Sequence, residues 1–242
     1  AQGPGNPAVS VYNRGVEAQK AGKLDEAVSW FDRAIQLKAD LAVAYCSRGL
    51  LRATKGQLDQ ALLDLDTAVK LAPTDATARM NRGFANFQKG DLDKALADYG
   101  EAVRLAPSSA GGYRERGHLY LLQGELDKAE TDLNQAIRLA PDDAEAHTCR
   151  GRVYFRKGDL DRAIEDYNSS LRLDRNNAEV WGDRGYARAI QGNLDKALGD
   201  LDYAIRLAPD DPAAYVSRGF AYARTGDPEK ALADYAKAIA LD

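Results

Sequence analysis

The chain has 242 residues, 45% of them hydrophobic and 29% charged, and its 33 Lys and Arg stand against 37 Asp and Glu for a net charge of −4. That balance lacks the basic excess of a nucleic-acid binder, and no stretch approaches the roughly 18 consecutive apolar residues of a membrane span. Two cysteines, Cys46 and Cys149, are too few for a disulfide framework.

Residues 1–7, Ala-Gln-Gly-Pro-Gly-Asn-Pro, predict a non-helical extension. The one methionine is Met80. A start without an initiator suits a mature end left after removal of an export signal; the alternative is a cytoplasmic protein. From Ala8 onward a strict period of 34 residues governs the chain, with repeats at 8–41, 42–75, 76–109, 110–143, 144–177, 178–211 and 212–242. A fixed period of this length marks a repeat architecture in which each unit packs on its neighbours.

Each repeat predicts two helices. The first carries an Arg-Gly pair, from Arg14-Gly15 and Arg48-Gly49 to Arg218-Gly219. A second glycine follows (Gly22, Gly56, Gly90, Gly124, Gly158, Gly192, Gly226), placed to end that helix in a left-handed conformation. Asp91, Asp159, Asn193 and Asp227 come next and are expected to cap the second helix. The second helix has helical apolar spacing, as in Leu92, Ala95, Leu96, Tyr99, Ala102 and Val103. It ends before Pro73, Pro107, Pro141 or Pro209, which cannot continue it. Glycine inside a helix costs about 1 kcal/mol of propensity. Its repetition therefore predicts a close helix–helix approach, glycine of one helix near the recurrent alanine of the other (Ala27, Ala61, Ala95 and equivalents).

The 34-residue period, these small residues, an aromatic early in the first helix (Tyr45, Tyr113, Trp181, Tyr215) and the closing proline resemble the tetratricopeptide repeat family over residues 8–242. The resemblance implies an all-α, right-handed α-solenoid (superhelix) of seven helix–turn–helix repeats, with the first helices lining a concave groove. Two positions depart from the family pattern. Arginine replaces the usual leucine before the first glycine. In the second helix an acid (Asp64, Asp98, Asp132, Asp166, Asp200, Asp234; Trp30 in repeat 1) stands where an aromatic is common. Together they predict an Arg–Asp ladder, running either within repeats (Arg48 with Asp64) or across them (Asp64 with Arg82).

Variable residues at the groove positions are the candidate binding surface. Repeats 1–3 offer Tyr12, Val16, Cys46, Leu50, Met80, Phe84 and Phe87, which are largely apolar. Repeats 4–5 offer Arg114, His118, Arg152, Phe155 and Arg156, with Glu145, Glu179 and Asp183 following in repeats 5–6. The partner that fits is a protein or peptide with an apolar stretch beside an acidic one. The family's carboxylate clamp is excluded, because its third repeat would present Glu179 and Asp183. At the ends, Tyr235, Ala236 and Ile239 are expected to contact another copy, so the alternative to a groove-binding scaffold is a subunit stacking head to tail into a filament.

No catalytic or cofactor motif is present. His118, His147 and Cys149 do not supply the three or four convergent ligands a metal needs. Cys46 and Cys149 lie three repeats apart, beyond the ~7 Å reach of a disulfide. The glycosylation match Asn168-Ser169-Ser170 falls inside a predicted helix and is read as chance. The expectation is a non-enzymatic protein-interaction scaffold.

Overall fold

The computed structural model describes residues 6–241. Of the expected non-helical stretch 1–7, residues 1–5 lie outside the described residues. Asn6 caps the first helix, its Oδ1 accepting from the Ala8 amide at 3.0 Å, and Pro7 is already helical. Proline suits that first position because its missing N–H would have no helical partner there.

The described residues form fourteen α-helices and no strand, two helices to a repeat. These are α1 (Pro7–Lys20) and α2 (Leu24–Leu37), α3 (Ala42–Thr54) and α4 (Leu58–Leu71), α5 (Ala76–Gln88) and α6 (Leu92–Leu105), α7 (Ala110–Leu122) and α8 (Leu126–Leu139), α9 (Ala144–Arg156) and α10 (Leu160–Leu173), α11 (Ala178–Gln191) and α12 (Leu194–Leu207), α13 (Pro212–Thr225) and α14 (Pro228–Leu241). The chain divides into two compact units at Gly112/Tyr113, and each is described by itself.

Every turn from first to second helix passes through the second glycine with positive φ, between 73° at Gly56 and 92° at Gly192. Only glycine takes that conformation without a Cβ penalty. Asp91, Asp159 and Asp227 cap the following helix through the amides of Lys94, Arg162 and Lys230. Asn193 makes no such bond, which corrects the cap expected there. Caps absent from the sequence reading stand before the first helices, where Asp75, Asp143, Asn177 and Asp211 accept from amides two or three residues on.

The close approach at Arg-Gly is real, but its partner differs from the one expected. A Cβ on Gly151 would stand 2.7 Å from the Tyr167 ring, and one on Gly49 would stand 2.7 Å from Leu65 Cγ. The recurrent alanine takes part through its backbone, as with the Ala61 carbonyl 3.2 Å from the same point at Gly49. The covering side chain, sixteen residues after each glycine, is Phe31, Leu65, Tyr99, Leu133, Tyr167, Leu201 or Tyr235. All but Tyr235 are fully buried. These residues fill the space glycine vacates, so each repeat's core is centred on that contact.

The ladder settles the choice left open by the sequence. Each aspartate pairs within its own repeat and in a bidentate way. Arg184 Nε and Nη2 donate to Asp200 at 2.9 and 2.7 Å, and Arg48, Arg82, Arg116, Arg150 and Arg218 repeat the geometry with Asp64, Asp98, Asp132, Asp166 and Asp234. The link across repeats uses a different residue, two positions further along. Nη1 of Arg82 reaches Asp66 at 2.8 Å, that of Arg218 reaches Asp202 at 2.7 Å, and those of Arg150 and Arg184 reach the side-chain oxygens of Asn134 and Asn168, each at 2.7 Å. One guanidinium therefore ties its own second helix to the preceding one. Its fixed fork makes both bonds possible at once, which a lysine could not do.

In repeat 5 the ladder gains His147. Its Nδ1 lies 3.3 Å from Asp166 and its Nε2 3.1 Å from the Pro141 carbonyl. The Asp166 bond raises the imidazole pKa above its ordinary value. Burial pushes the Asp166 carboxyl upward, but Arg150 and His147 outweigh it and hold its pKa below the usual carboxylate range. The sequon residues are taken up by packing, since Asn168 accepts from Arg184 and buried Ser170 bonds Thr148 at 2.8 Å.

Candidate functional site

In the unit before Gly112 the sequence-predicted apolar residues lie along α1, α3 and α5. Tyr12 stacks tilted on Phe31 at 5.4 Å, and its hydroxyl is 3.2 Å from Ser47 Oγ. Val16 packs on the same cluster as Phe31 and Leu51. Cys46 is buried, its Sγ accepting from Asn81 at 3.2 Å, and burial pushes its thiol up to about 11. Phe84 packs against the cluster of Leu65, Ala78 and Ala85. Met80 lies beside Gly112, and Leu50 and Phe87 are half-buried. Much of this set therefore fills space between neighbouring helices.

In the unit from Tyr113 onward, α7, α9 and α11 enclose a pocket of about 340 Å³. It brings together His118, Arg152, Phe155 and Arg156 from the predicted set, and adds Leu121, Leu122, Tyr167, Glu179, Asp183 and Tyr186. Phe155 and Tyr186 are tilted rings 5.7 Å apart, and Tyr186 meets Phe220 edge-on at 5.4 Å. Tyr186 and Phe220 are the residues sequence reasoning missed. Each follows its Arg-Gly glycine directly, the same place that holds Val16, Leu50, Phe84, His118 and Arg152. Reading that position through all seven repeats would have found both.

Two of the three predicted arginines, Arg114 and Arg152, are ion-paired with carboxylates of their own neighbourhood. Arg152 Nε donates to Asp183 at 2.8 Å, and its Nη2 forms an ion pair with Glu179 at 2.5 Å. Burial opposes its charge, yet these two carboxylates raise its pKa above the usual guanidinium value. Asp183 is itself raised, because burial outweighs the nearby Arg152. Arg156 donates to the Leu121 carbonyl at 2.6 Å, a cation at the negative end of α7. Arg114 is held by Glu115 at 2.7 Å, Asp143 at 2.9 Å and Glu145 at 3.4 Å.

Cys149, buried between these groups, has its thiol pushed up to about 12 by burial. A thiol with so raised a pKa is a poor nucleophile. Among the described residues no three His, Cys, Asp or Glu side chains are placed to hold a metal, and no helix is long and apolar enough to cross a membrane. What the pocket can do chemically is bind. Its aromatic walls supply apolar area, and its carboxylates and guanidinia supply orientation.

The end residues separate. The Tyr235 ring lies under Gly219 inside its own repeat, while Ala236 and Ile239 are exposed on α14.

A tetratricopeptide repeat model matches residues 46–110 and 114–178, and further models of the same repeat match 8–41, 150–216 and 212–242. No curated protein matches the chain. Among solved structures it is similar to the APC/C hetero-tetramer Cut9–Hcn1, with 19% identity and a TM-score of 0.83, over 94% of this chain and 45% of that one. It thus spans less than half the length of that relative. It is also similar to a tetratricopeptide repeat protein from Parabacteroides merdae, with 18% identity and a TM-score of 0.72, over 97% and 93% of the two chains. A third is YrrB, described as a repeat protein with an unusual peptide-binding site, with 25% identity and a TM-score of 0.61, over 74% and 92%. One repeat model alone matches more than half of the chain, and the chain belongs to the tetratricopeptide repeat family, an all-α fold of non-catalytic protein-interaction scaffolds.

Proposed function

We propose that the chain is a scaffold that holds a peptide or protein segment along its first helices, anchored in the pocket of α7, α9 and α11. The observation that carries this is the pocket itself. Two aromatic rings, Phe155 and Tyr186, flank a 340 Å³ concavity at positions that the repeat leaves variable. Aromatic anchors of this kind dominate interface energetics. The peptide-binding site named for YrrB supports the same kind of use.

The test is selection of binders from a phage-displayed library of random peptides, panned on the intact chain. Phe155→Ala with Tyr186→Ala is expected to weaken the selected peptides by at least about 30-fold, as loss of a hot spot does, with unchanged far-UV circular dichroism. Selected peptides that bind the double variant as well as the parent would remove the pocket from the proposal.

A second reading is head-to-tail association of copies through α14 and α1. It is favoured by Leu232 and Ile239, which are 67% and 78% exposed, whereas their counterparts Leu198 and Ile205 are partly buried. A join copying the internal one would, however, lack a ladder rung. Arg14 would face Trp30 and Ala236, where Arg48, Arg82, Arg150, Arg184 and Arg218 find a carboxylate or an amide in the preceding repeat. Light scattering across concentration tests this reading. Ile239→Asp should abolish any concentration-dependent mass increase and Ala236→Asp should strengthen it; mass that persists in Ile239→Asp rules the face out.

A further inference from the structure

We propose that the concavity between α10 and α11 is a second binding site, which takes an oxyanion (a carboxylate or a phosphate) carried on a peptide segment of a partner. It measures about 530 Å³ and is lined by Asn168, Leu171, Arg172, Arg175, Trp181 and Arg184. None of these lines the pocket of α7, α9 and α11, so the two readings stand or fall separately.

The lining holds three guanidinia and no carboxylate. Its six positions recur every 34 residues, and at no other junction do they hold three arginines without an acid. Asn168 stands where repeats 1, 2 and 6 have Asp32, Asp66 and Asp202. Arg175 stands where repeats 2, 3, 4 and 6 close with Pro73, Pro107, Pro141 and Pro209. The scaffold fixes that second position. Trp181 Nε1 donates to the Arg175 carbonyl at 2.9 Å, as the Tyr215 hydroxyl does to Pro209 at 3.0 Å, and His147 Nε2 lies 3.1 Å from the Pro141 carbonyl. A backbone held alike at three junctions thus carries a cation at one of them.

The bonding capacity of the three arginines differs. Arg184 is engaged, with Nε and Nη2 on Asp200 and Nη1 on Asn168. Arg172 gives Nη2 to the Ser169 hydroxyl at 2.9 Å. The Arg175 side chain makes no hydrogen bond or ion pair among the described residues. Asp174, beside it in the chain, accepts from the Asn176 amide. With Arg184 offset by Asp200, two exposed guanidinia with unused donors remain on one rim. The guanidinium fork matches the edge of a carboxylate or phosphate with two parallel N–H···O bonds. Asn168 accepts from Arg184 through Oδ1, which leaves its Nδ2 as a further donor. The half-buried Trp181 ring, backed by Tyr203 at 4.6 Å, supplies an apolar wall for the rest of the segment. A net charge of −4 disfavours the extended polyanion of a nucleic acid, and a short acidic or phosphorylated segment is the occupant that fits.

The experiment is fluorescence anisotropy on the intact chain with labelled Gly-Ser peptides that carry paired glutamates, phosphoserines or glutamines. The glutamate or the phosphoserine peptide is expected to bind, the tighter one naming the oxyanion, and the glutamine peptide is not. Arg172→Gln with Arg175→Gln should weaken binding at least about tenfold, as loss of charge-assisted hydrogen bonds does. Arg175→Pro alone should weaken it severalfold. That variant is expected to fold, because Asp174 has φ −131° and ψ 95°, close to the −134° and 80° of Ala208 before Pro209, and a following proline favours such extended values. Circular dichroism checks each variant. Added salt should weaken binding. Two controls should leave it unchanged: Arg104→Gln with Arg138→Gln, which removes the same charge from the position of Arg172 in repeats 3 and 4, and Phe155→Ala with Tyr186→Ala in the groove pocket.

Failure of both anionic peptides to bind would overturn the proposal, as would equal binding of the glutamine peptide. Equal weakening by the Arg104 and Arg138 pair would show attraction to net charge rather than to a site. Loss of binding in the Phe155 and Tyr186 variant would move the peptide into the groove. A single-stranded DNA of equal charge that binds more tightly than either peptide, and is released by Arg172→Gln with Arg175→Gln, would replace the protein partner by a nucleic acid.

Discussion

Replacing Asp200 by alanine is expected to cost about 3–5 kcal/mol of stability, the range for stripping one partner from a buried ion pair. Asp200 is buried between α11 and α12 and accepts from Arg184 Nε and Nη2 and from Arg188 Nη1 at 2.6 Å. Its removal leaves two guanidinia whose side chains are only 11% and 17% exposed, with no carboxylate in reach of the fork. Urea unfolding followed by circular dichroism gives the loss. The fluorescence of Trp181, whose ring lies 4.5 Å from the Arg184 guanidinium carbon, reports whether repeat 6 opens first. A loss below about 1 kcal/mol would place the rung with ordinary surface pairs. Arg184→Met together with Asp200→Leu should recover most of the loss, because an apolar pair of similar volume avoids the desolvation that the ions suffer.

Two glycines three residues apart on α11 are expected to respond with opposite signs. A side chain on Gly185 would meet Leu201 Cγ at 2.7 Å and the Ala197 carbonyl at 3.2 Å. Leu201 is fully buried and has nowhere to retreat. Gly185→Val should therefore lose about 3 kcal/mol, the upper part of the range for overpacking. Around Gly182 nothing lies within 4 Å of an added Cβ, and its φ is not positive. Gly182→Ala should gain up to about 1 kcal/mol of helix propensity. The same urea experiment measures both. Equal destabilisation by the two substitutions would mean that glycine serves flexibility along this helix rather than close packing at one point.

The contrast shows how far the period carries. Gly185 and its six equivalents were legible as structural because they recur every 34 residues, and a residue repeated at the same place in every unit answers to what every unit shares. What covers the glycine was not legible. The period shows alanine in the second helix in every repeat, and alanine is what the sequence pairs with glycine. The structure instead sets a Phe, Leu or Tyr against it, because the volume a glycine frees is filled by whatever large side chain points at it. The ladder behaved similarly. The bidentate Arg48–Asp64 pair was one of two foreseen arrangements, but the cross-repeat bond to Asp32 depends on how far one side chain reaches between helices, which spacing alone does not encode.

The site divides along the same line. His118, Arg152, Phe155 and Arg156 were placed in the groove from their positions in the first helix, and the pocket contains all four. The pairing of Arg152 was not legible. In sequence the arginines of repeats 4 and 5 precede the acids of repeats 5 and 6 and look like separate patches. Stacking sets Arg152 of α9 against Glu179 and Asp183 of α11, and the two patches neutralise each other.

By itself, then, the sequence determined the helix–turn–helix unit, its seven-fold repetition and the scaffold class. Those follow from local rules: glycine for positive φ, proline to stop a helix, apolar spacing to bury one face, repeated in every unit. Tertiary structure alone decided which groups remain free to bind. A charge or ring is available to a partner only after its neighbours in space have taken their share, and those neighbours come from helices some 30 residues apart in the chain (Arg152 and Asp183).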